Sequence, residues 1–316
     1  ERHFNNVLEK DVPAAVKRNI NEFLQEIRKT QQEHFFSGTL SLSLTRDSNA
    51  RISPGGAVAI PGFLLLQVPI DRDEFVSTNL VVQHDYRRPT SRHIWQTRIM
   101  NYNAWYDEES DLDVNYIRAE TGPRLTLGDV DIELQASASY MEKDYLDYLR
   151  TAGGSITATK QVSATCIVSA RLTCEKRTYD QTPGNDSVNL RWEILPACSL
   201  GATTATSQFY YEVNNADATH ESFDRFAGGI RLDRQLSQAM FIYISYLYQD
   251  TLYDRRGPLV SARRNDAVQD ITCGIRQTFR YGLTVDVSHR HTESASSTDL
   301  YDYERDVTTL SLSYAF

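Results

Sequence analysis

The chain ends with VTTLSLSYAF (residues 307–316), in which apolar and polar side chains alternate. A period of two is that of a β-strand whose two faces meet different surroundings. The last residue, Phe316, is aromatic and lies on the apolar face of this strand. One face therefore carries Thr308, Leu310, Leu312, Tyr314 and Phe316, and the other carries Thr309, Ser311, Ser313 and Ala315.

The same alternation extends back to about residue 37 and predicts an antiparallel all-β protein of about 14 strands. An even number is expected for a closed bacterial barrel. The segment TAGGSITATKQVS (residues 151–163) has little apolar content, so twelve or sixteen strands remain alternatives. The predicted strands are 37–45, 75–87, 91–106, 112–127, 130–142, 150–163, 164–178, 186–198, 204–216, 222–234, 238–250, 266–279, 281–292 and 304–316.

Alternation alone suits a soluble β-sandwich or a transmembrane β-barrel. Three observations favour the barrel: the strands repeat about every 20 residues, which suits tilted membrane strands, aromatic side chains lie near strand ends, and the last residue is a Phe on the apolar face of a complete strand. The sequence has no apolar run long enough for a membrane helix, and its net charge of −9 argues against a nucleic-acid partner. The aromatic side chains near the ends of the predicted strands are those of Trp192, Tyr246, Tyr248, Tyr281 and Tyr314.

The polar faces of the predicted strands are strongly charged, and in a barrel they would line the lumen. These charges could simply solvate the interior, pair into a plug, or line a channel that conducts solutes or handles cargo. The candidate lumen-lining residues are Arg171, Arg191, Glu193, Arg225, Arg231, Asp270, Arg276, Arg280, Asp286 and Arg290.

Residues 1–34 are predicted to be a periplasmic helical segment and residues 35–316 the barrel. An apolar stripe at helical spacing runs through residues 11–32, with Asp11 placed to cap it and Pro13 in its first turn. Short turns such as Gly128-Asp129 are expected on the periplasmic side and the longer connections outside. The stretch from Arg46 to Glu74 is expected to enter or cap the lumen.

The helix and the first strand together resemble the surface-lipoprotein assembly modulator (Slam) family. In that family a Pro…Ile…Phe-Leu helix leads into a strand that closes on an Asp-Ser-Asn-x-Asn-x-x-Pro element. The resemblance implies an outer-membrane barrel that follows a periplasmic helical-repeat domain and delivers a protein or lipoprotein to the cell surface. Arg51 departs from the pattern, standing where the second Asn is expected. The matching residues are Pro13, Ile20, Phe23, Leu24, Asp47, Ser48, Asn49 and Pro54.

Smaller features have structural as well as functional interpretations. Asp47 and Asn49 suit a turn at a strand end, bonding to local backbone, as well as a cargo contact. Folding the seventh and eighth strands together sets Cys166 beside Cys198, which could form a disulfide in an oxidising periplasm. His289 and His291 share one face; they could be half of a metal site or lie beside lipid headgroups.

The sequence contains no nucleophile, zinc-protease or phosphate-loop motif, so it predicts no enzyme, cofactor or metal. The leading interpretation is a Slam-type translocon in the outer membrane of a Gram-negative bacterium. A porin or polysaccharide channel, or a structural anchor for a surface assembly, is the alternative. The expected partners are outer-membrane lipids and lipopolysaccharide, the barrel-assembly machinery, which reads Tyr314 and Phe316, and a lipoprotein or secreted-protein cargo.

Overall fold

The computed structural model describes residues 33–58, 66–88, 91, 93–257 and 262–316. The predicted helix at residues 11–32 lies outside them. No helix in the described part of the chain is long and apolar enough to cross a membrane.

Within the described residues, fourteen antiparallel strands close into a barrel, which confirms the predicted class and strand number. The doubtful segment at residues 151–163 lies in a full strand, β8, up to Gln161. The small strands β2 (Gly56–Val58) and β3 (Leu66–Val68) pair only with each other, in the first long loop. The barrel strands are β1 His34–Asp47, β4 Asp73–Arg87, β5 Ile94–Tyr106, β6 Val114–Leu127, β7 Val130–Lys143, β8 Leu146–Gln161, β9 Cys166–Tyr179, β10 Ser187–Leu200, β11 Thr203–Ala216, β12 Phe223–Gln235, β13 Met240–Tyr253, β14 Asn265–Thr278, β15 Leu283–Ser296 and β16 Tyr303–Ala315.

The barrel closes where the first strand pairs with the last. Leu40 lies opposite Tyr314, and the pairing runs from Thr39 opposite Ala315 to Asp47 opposite Val307. Beyond it, Gly38 N donates to Phe316 O at 2.9 Å and Phe316 N donates to Gly38 O at 3.0 Å. The alternating C-terminal stretch is therefore the strand that removes the free edges of the sheet.

The two ends of the barrel differ in their connections. The end that holds His34 and Phe316, here called the terminal end, also holds the short turns after β6, β8, β10, β12 and β14. The opposite end, here called the loop end, holds the long connection at residues 48–72 and most of the other longer ones. This division agrees with the predicted placement of short and long connections.

Burial is inverted relative to a soluble sandwich. The largest fully buried side chains are polar or charged, among them Asp47, Asn189, Glu212 and Thr251, whereas large apolar side chains such as Leu312 and Trp192 are exposed. A soluble sandwich would bury its apolar face between two sheets. The charged face of each strand instead points into the barrel and the apolar face outward, as in a barrel surrounded by lipid.

Candidate functional site: the polar lumen

Hydroxyl groups line the lumen along the seam between β1 and β16. Ser41 and Ser313 are hydrogen-bonded at 2.9 Å, Ser43 donates to Ser311 at 3.0 Å, and Thr45 bonds Thr309 at 3.2 Å. These residues occupy the inward positions of both strands, so every second residue contributes to the ladder. Cross-strand hydroxyl pairs of this kind stabilise the pairing that closes the barrel.

An ion-pair network lies on the wall between β6 and β9. Arg118 on β6 pairs with Glu120 at 2.8 Å and reaches across β7 and β8 to Glu175 on β9, also at 2.8 Å. Gly153, on the intervening strand β8, has no side chain and leaves space on the inner surface of the sheet at this point. A Cβ atom at Gly153 would lie 2.2 Å from the Cys174 carbonyl oxygen and 2.9 Å from Cγ of Glu175. Gly153 thus makes room for the Glu175 side chain that Arg118 binds.

A second network centres on Glu212, a β11 carboxylate that is 2 % exposed. Asn189 on β10 donates to Glu212 at 2.7 Å. Arg177 on β9 lies 3.5 Å from the carboxylate and Arg225 on β12 lies 3.4 Å from it. A buried charge is tolerated only when partners of this kind compensate it. The network therefore fixes the positions of two arginine side chains on the inner wall.

Arginine and tyrosine side chains stack further along the lumen. Arg191 lies 3.8 Å from the ring centre of Tyr210, and Arg231 lies 3.8 Å from that of Tyr243. Each guanidinium also pairs with a carboxylate on its own strand, Arg191 with Glu193 at 2.6 Å and Arg231 with Asp233 at 2.7 Å. Stacking and pairing together restrict these side chains to defined positions beside the aqueous space.

The Asp-Ser-Asn element ends β1 at the loop end and binds β16. Both Asp47 oxygens accept from Arg305 Nε at 3.0 Å, and Asp47 also accepts from the backbone N–H of Asn49. The Asn49 amide donates to the carbonyls of Ser53 at 2.8 Å and Glu304 at 3.0 Å. Ser48 Oγ accepts from the N–H of Asp306 at 2.7 Å. The element is thus engaged by the barrel itself, as its turn-forming interpretation expected.

The loop after β1 reaches the mouth of the lumen at the loop end. Ile52 lines a cavity of about 200 Å³ together with inward residues of β12 to β16, including Arg225 and Tyr303. Arg51 binds Asp111 of the connection between β5 and β6, with Nη1 donating at 2.8 Å, and also pairs with Glu109. The Arg51 guanidinium, through this hydrogen bond, holds the pKa of the Asp111 carboxyl below its usual value. The described part of the long loop therefore partly covers the lumen, consistent with the expectation for residues 46–74.

The structure places the predicted lumen residues on inward faces, with one correction. Arg280 lies in the turn Arg280–Gly282, because β14 already ends at Thr278. Arg276 pairs with Asp286 at 3.1 Å, and Tyr243 donates to that carboxylate at 2.8 Å. The inward set comprises Arg171, Arg191, Glu193, Arg225, Arg231, Asp270, Arg276, Asp286 and Arg290.

Several strong lumen contacts have only a weak signal in the sequence. Arg118, Glu175 and Glu212 occupy polar positions of alternating strands, and this pattern could have identified them as inward residues. The contacts of Arg118 with Glu175 and of Arg177 with Glu212 join strands that are not neighbours in the sheet, so strand alternation gives no sign of them.

Cys166 and Cys198 lie opposite each other near the terminal end, with Cα atoms 4.2 Å apart, and the structure joins them in a disulfide. His289 and His291 face outward on β15. His291 Nδ1 lies 2.9 Å from Asp306 Oδ1, and His289 Nδ1 lies 3.0 Å from the Thr308 hydroxyl. Across the described residues, no group of three or more His, Cys, Asp or Glu side chains could hold a metal ion.

No family model and no curated protein matches this sequence. Among solved structures, the chain is similar to OmpT, an outer membrane protein of Vibrio cholerae, at 9% identity over 90% of this chain and 97% of that one, with a TM-score of 0.53. A loop L8 deletion mutant of OmpT gives 0.52 at 9% identity, with 90% and 99% covered. An anion-selective porin from Comamonas acidovorans gives 0.50 at 6% identity, with 90% and 99% covered. The fold is therefore that of an outer-membrane β-barrel.

Proposed function

We propose that this chain forms a channel in the outer membrane of a Gram-negative bacterium, with its terminal end in the periplasm, and that hydrophilic solutes pass through its lumen. One observation carries the proposal: the inner wall is lined by charged side chains that are only partly buried, such as Arg191, Arg231 and Arg276. Charges left half-exposed inside a barrel require water around them. A wet, polar lumen inside an apolar outer band is the arrangement of a porin.

The pairing of the wall charges affects which solutes the proposed pore would select. Most lumen arginines bind a carboxylate on the same wall, as Arg118 binds Glu175 and Arg225 binds Glu212. Paired charges of opposite sign largely cancel at a distance. The proposed pore therefore discriminates by size and by local contacts more than by a strong overall field.

Conductance in planar bilayers tests the channel. The wild-type barrel should give discrete current steps, and the neighbouring positions Ser41 and Leu42 provide a matched pair of variants. Ser41 faces the lumen and bonds Ser313, whereas Leu42 is an exposed apolar residue on the outer face. Ser41→Trp should lower the step size, and Leu42→Trp should leave it unchanged. A folded wild-type barrel without current steps contradicts the proposal.

A second candidate function is delivery of a lipoprotein or secreted protein to the cell surface, with the barrel-assembly machinery and outer-membrane lipids as further partners. The match from Pro13 to Pro54 favours it. The bonds of Asp47, Ser48 and Asn49 within the barrel give that part of the match a structural explanation, so the candidate relies mainly on the matching residues from Pro13 to Leu24. Gene deletion followed by surface shaving and mass spectrometry distinguishes the two. Unchanged surface proteins with reduced solute uptake contradict delivery; loss of one surface protein with unchanged uptake contradicts the channel.

A further inference from the structure

We propose that the lumen wall holds a binding site for a small oxyanion, a carboxylate or a phosphate, centred on Arg290. Arg290 points inward from β15, between Thr272 on β14 and Val307 on β16. Its guanidinium makes no hydrogen bond and no ion pair with any described residue. In contrast, Arg276 is paired with Asp286 and Arg231 with Asp233.

The surroundings of Arg290 favour an anion. A cavity of about 240 Å³ beside it is lined by hydroxyl-bearing residues and two aromatic rings, and the described residues that line it include no carboxylate. A guanidinium with adjacent hydroxyl donors matches the geometry of a carboxylate or phosphate, which accept several charge-assisted hydrogen bonds at once. The residues lining this cavity are Ser43, Thr45, Phe75, Ser77, Tyr102, Thr272, Ser288, Arg290, Val307 and Thr309.

Free donors and acceptors decide which residues would hold the anion. Ser43 and Thr45 belong to the seam ladder, so their hydroxyls are already engaged. The side-chain hydroxyl of Thr272, directly opposite Arg290, makes no hydrogen bond with the described residues and is available to donate. The guanidinium of Arg290 and the hydroxyl of Thr272 are therefore the two contacts we assign to the anion.

Asp270 is the carboxylate that shares a cavity lining with Arg290. It borders a neighbouring cavity together with Arg290 and Arg231, and it accepts a hydrogen bond from Thr292 at 2.5 Å. Asp270 lies opposite Thr292 rather than opposite Arg290 and forms no ion pair with the Arg290 guanidinium. An incoming anion therefore has no carboxylate partner of Arg290 to displace.

Titration calorimetry on the folded chain in detergent tests the site, with inorganic phosphate and acetate in separate arms. Both should bind saturably if the site takes any oxyanion, and phosphate alone if it requires a phosphate. Arg290→Gln should weaken binding by about tenfold or more, since a charged hydrogen bond is removed. Arg290→Lys should retain most of the affinity. Thr272→Val should give an intermediate loss.

Arg171 provides the matched control. It is an inward arginine whose Nε donates to Thr157 at 3.1 Å, without a carboxylate partner among the described side chains, and it does not line the cavity. Arg171→Gln should bind both anions as the wild type does. The proposal is overturned if the folded wild type binds neither anion saturably up to tens of millimolar, if Arg290→Gln binds normally, or if Arg171→Gln loses as much affinity. Because binding is measured without current, this result stands apart from whether the lumen conducts.

Discussion

Asp47 and Arg305 are 258 positions apart in the chain, yet they form a charge-assisted pair where the first and last strands meet at the loop end. The Asp47 side chain is completely buried, and Arg305 is partly covered by the wall. Asp47 also orders the turn by accepting from Asn49 N–H at 3.0 Å. One carboxylate therefore links closure of the barrel to the start of its longest loop.

Replacing Asp47 should destabilise the barrel strongly. Asp47→Ala leaves the Arg305 charge in a poorly solvated position and removes the acceptor for Asn49, which should lower the free energy of unfolding by on the order of 3 kcal/mol. Asp47→Asn keeps an acceptor for Asn49 and should cost less. Urea unfolding of the barrel in lipid vesicles, followed by tryptophan fluorescence, measures the difference.

Asp129 supplies the control for this experiment. It pairs with Lys160 at 2.8 Å in a short exposed turn at the terminal end, where water screens the interaction. Asp129→Ala should unfold at the wild-type urea concentration. If the Asp47→Ala barrel is as stable as the Asp129→Ala barrel, the stabilising role assigned to the Asp47–Arg305 pair is contradicted.

The C-terminal Phe316 should act both in folding and in recognition during assembly. A Cβ atom at Gly38 would lie 2.5 Å from the Phe316 ring, so the glycine provides the space in which that ring lies. Deleting Phe316 also removes two backbone hydrogen bonds to Gly38. The yield of refolding into vesicles should fall modestly. The yield of insertion in cells should fall further if the assembly machinery recognises the residue.

Gel mobility of folded and unfolded protein measures both yields for the Phe316 deletion. Phe279→Ala is the matched control, because Phe279 is an exposed aromatic residue at the same end of the barrel. Equal losses in vesicles and in cells would assign Phe316 a purely structural role. Unchanged insertion in cells would contradict the recognition role.

The strands were predictable because lipid and lumen impose opposite requirements on alternate residues. Strand β16 shows this with Leu310 and Leu312 outside and Thr309 and Ser311 inside, and the pattern alone located it correctly. Strand β8 was harder to identify because Gly153 and Gly154 weaken its alternation. The close approach of β9 requires a glycine at position 153, since a Cβ atom there would clash with the backbone of β9.

The pairing of the lumen charges could not be predicted from alternation. Arg118 reaches Glu175 across two strands, a contact that depends on side-chain length and on the gap at Gly153. Arg280 was assigned to the wall because the predicted strands 266–279 and 281–292 left only this residue between them, whereas the turn occupies Arg280–Gly282. Periodicity indicates which face a residue occupies, whereas partners depend on the register and curvature of the closed sheet.

The disulfide between Cys166 and Cys198 should form in the native protein and support the terminal end. It closes a loop with a sequence separation of 32, so its loss should cost about 2–4 kcal/mol of unfolding free energy. Cys166→Ser with Cys198→Ser should therefore unfold at lower urea. Cys174→Ser with Cys273→Ser, which removes the exposed free thiols, should not. Identical intact masses before and after reduction would contradict the bond.

The contact between the loops after β1 and β5 should open in acid. The hydrogen bond from Arg51 holds the pKa of Asp111 below its usual value, so the contact is complete above the unfolded pKa of about 3.9 and is lost as the pH falls through the lower folded value. Arg51→Gln should open the loops at neutral pH as well. A spin-label distance between the two loops, measured across this range, reports the opening. Arg46→Gln is the control, because Arg46 pairs only loosely with Glu74 at 3.8 Å. A distance that stays constant down to pH values where Asp111 is protonated would contradict the assignment.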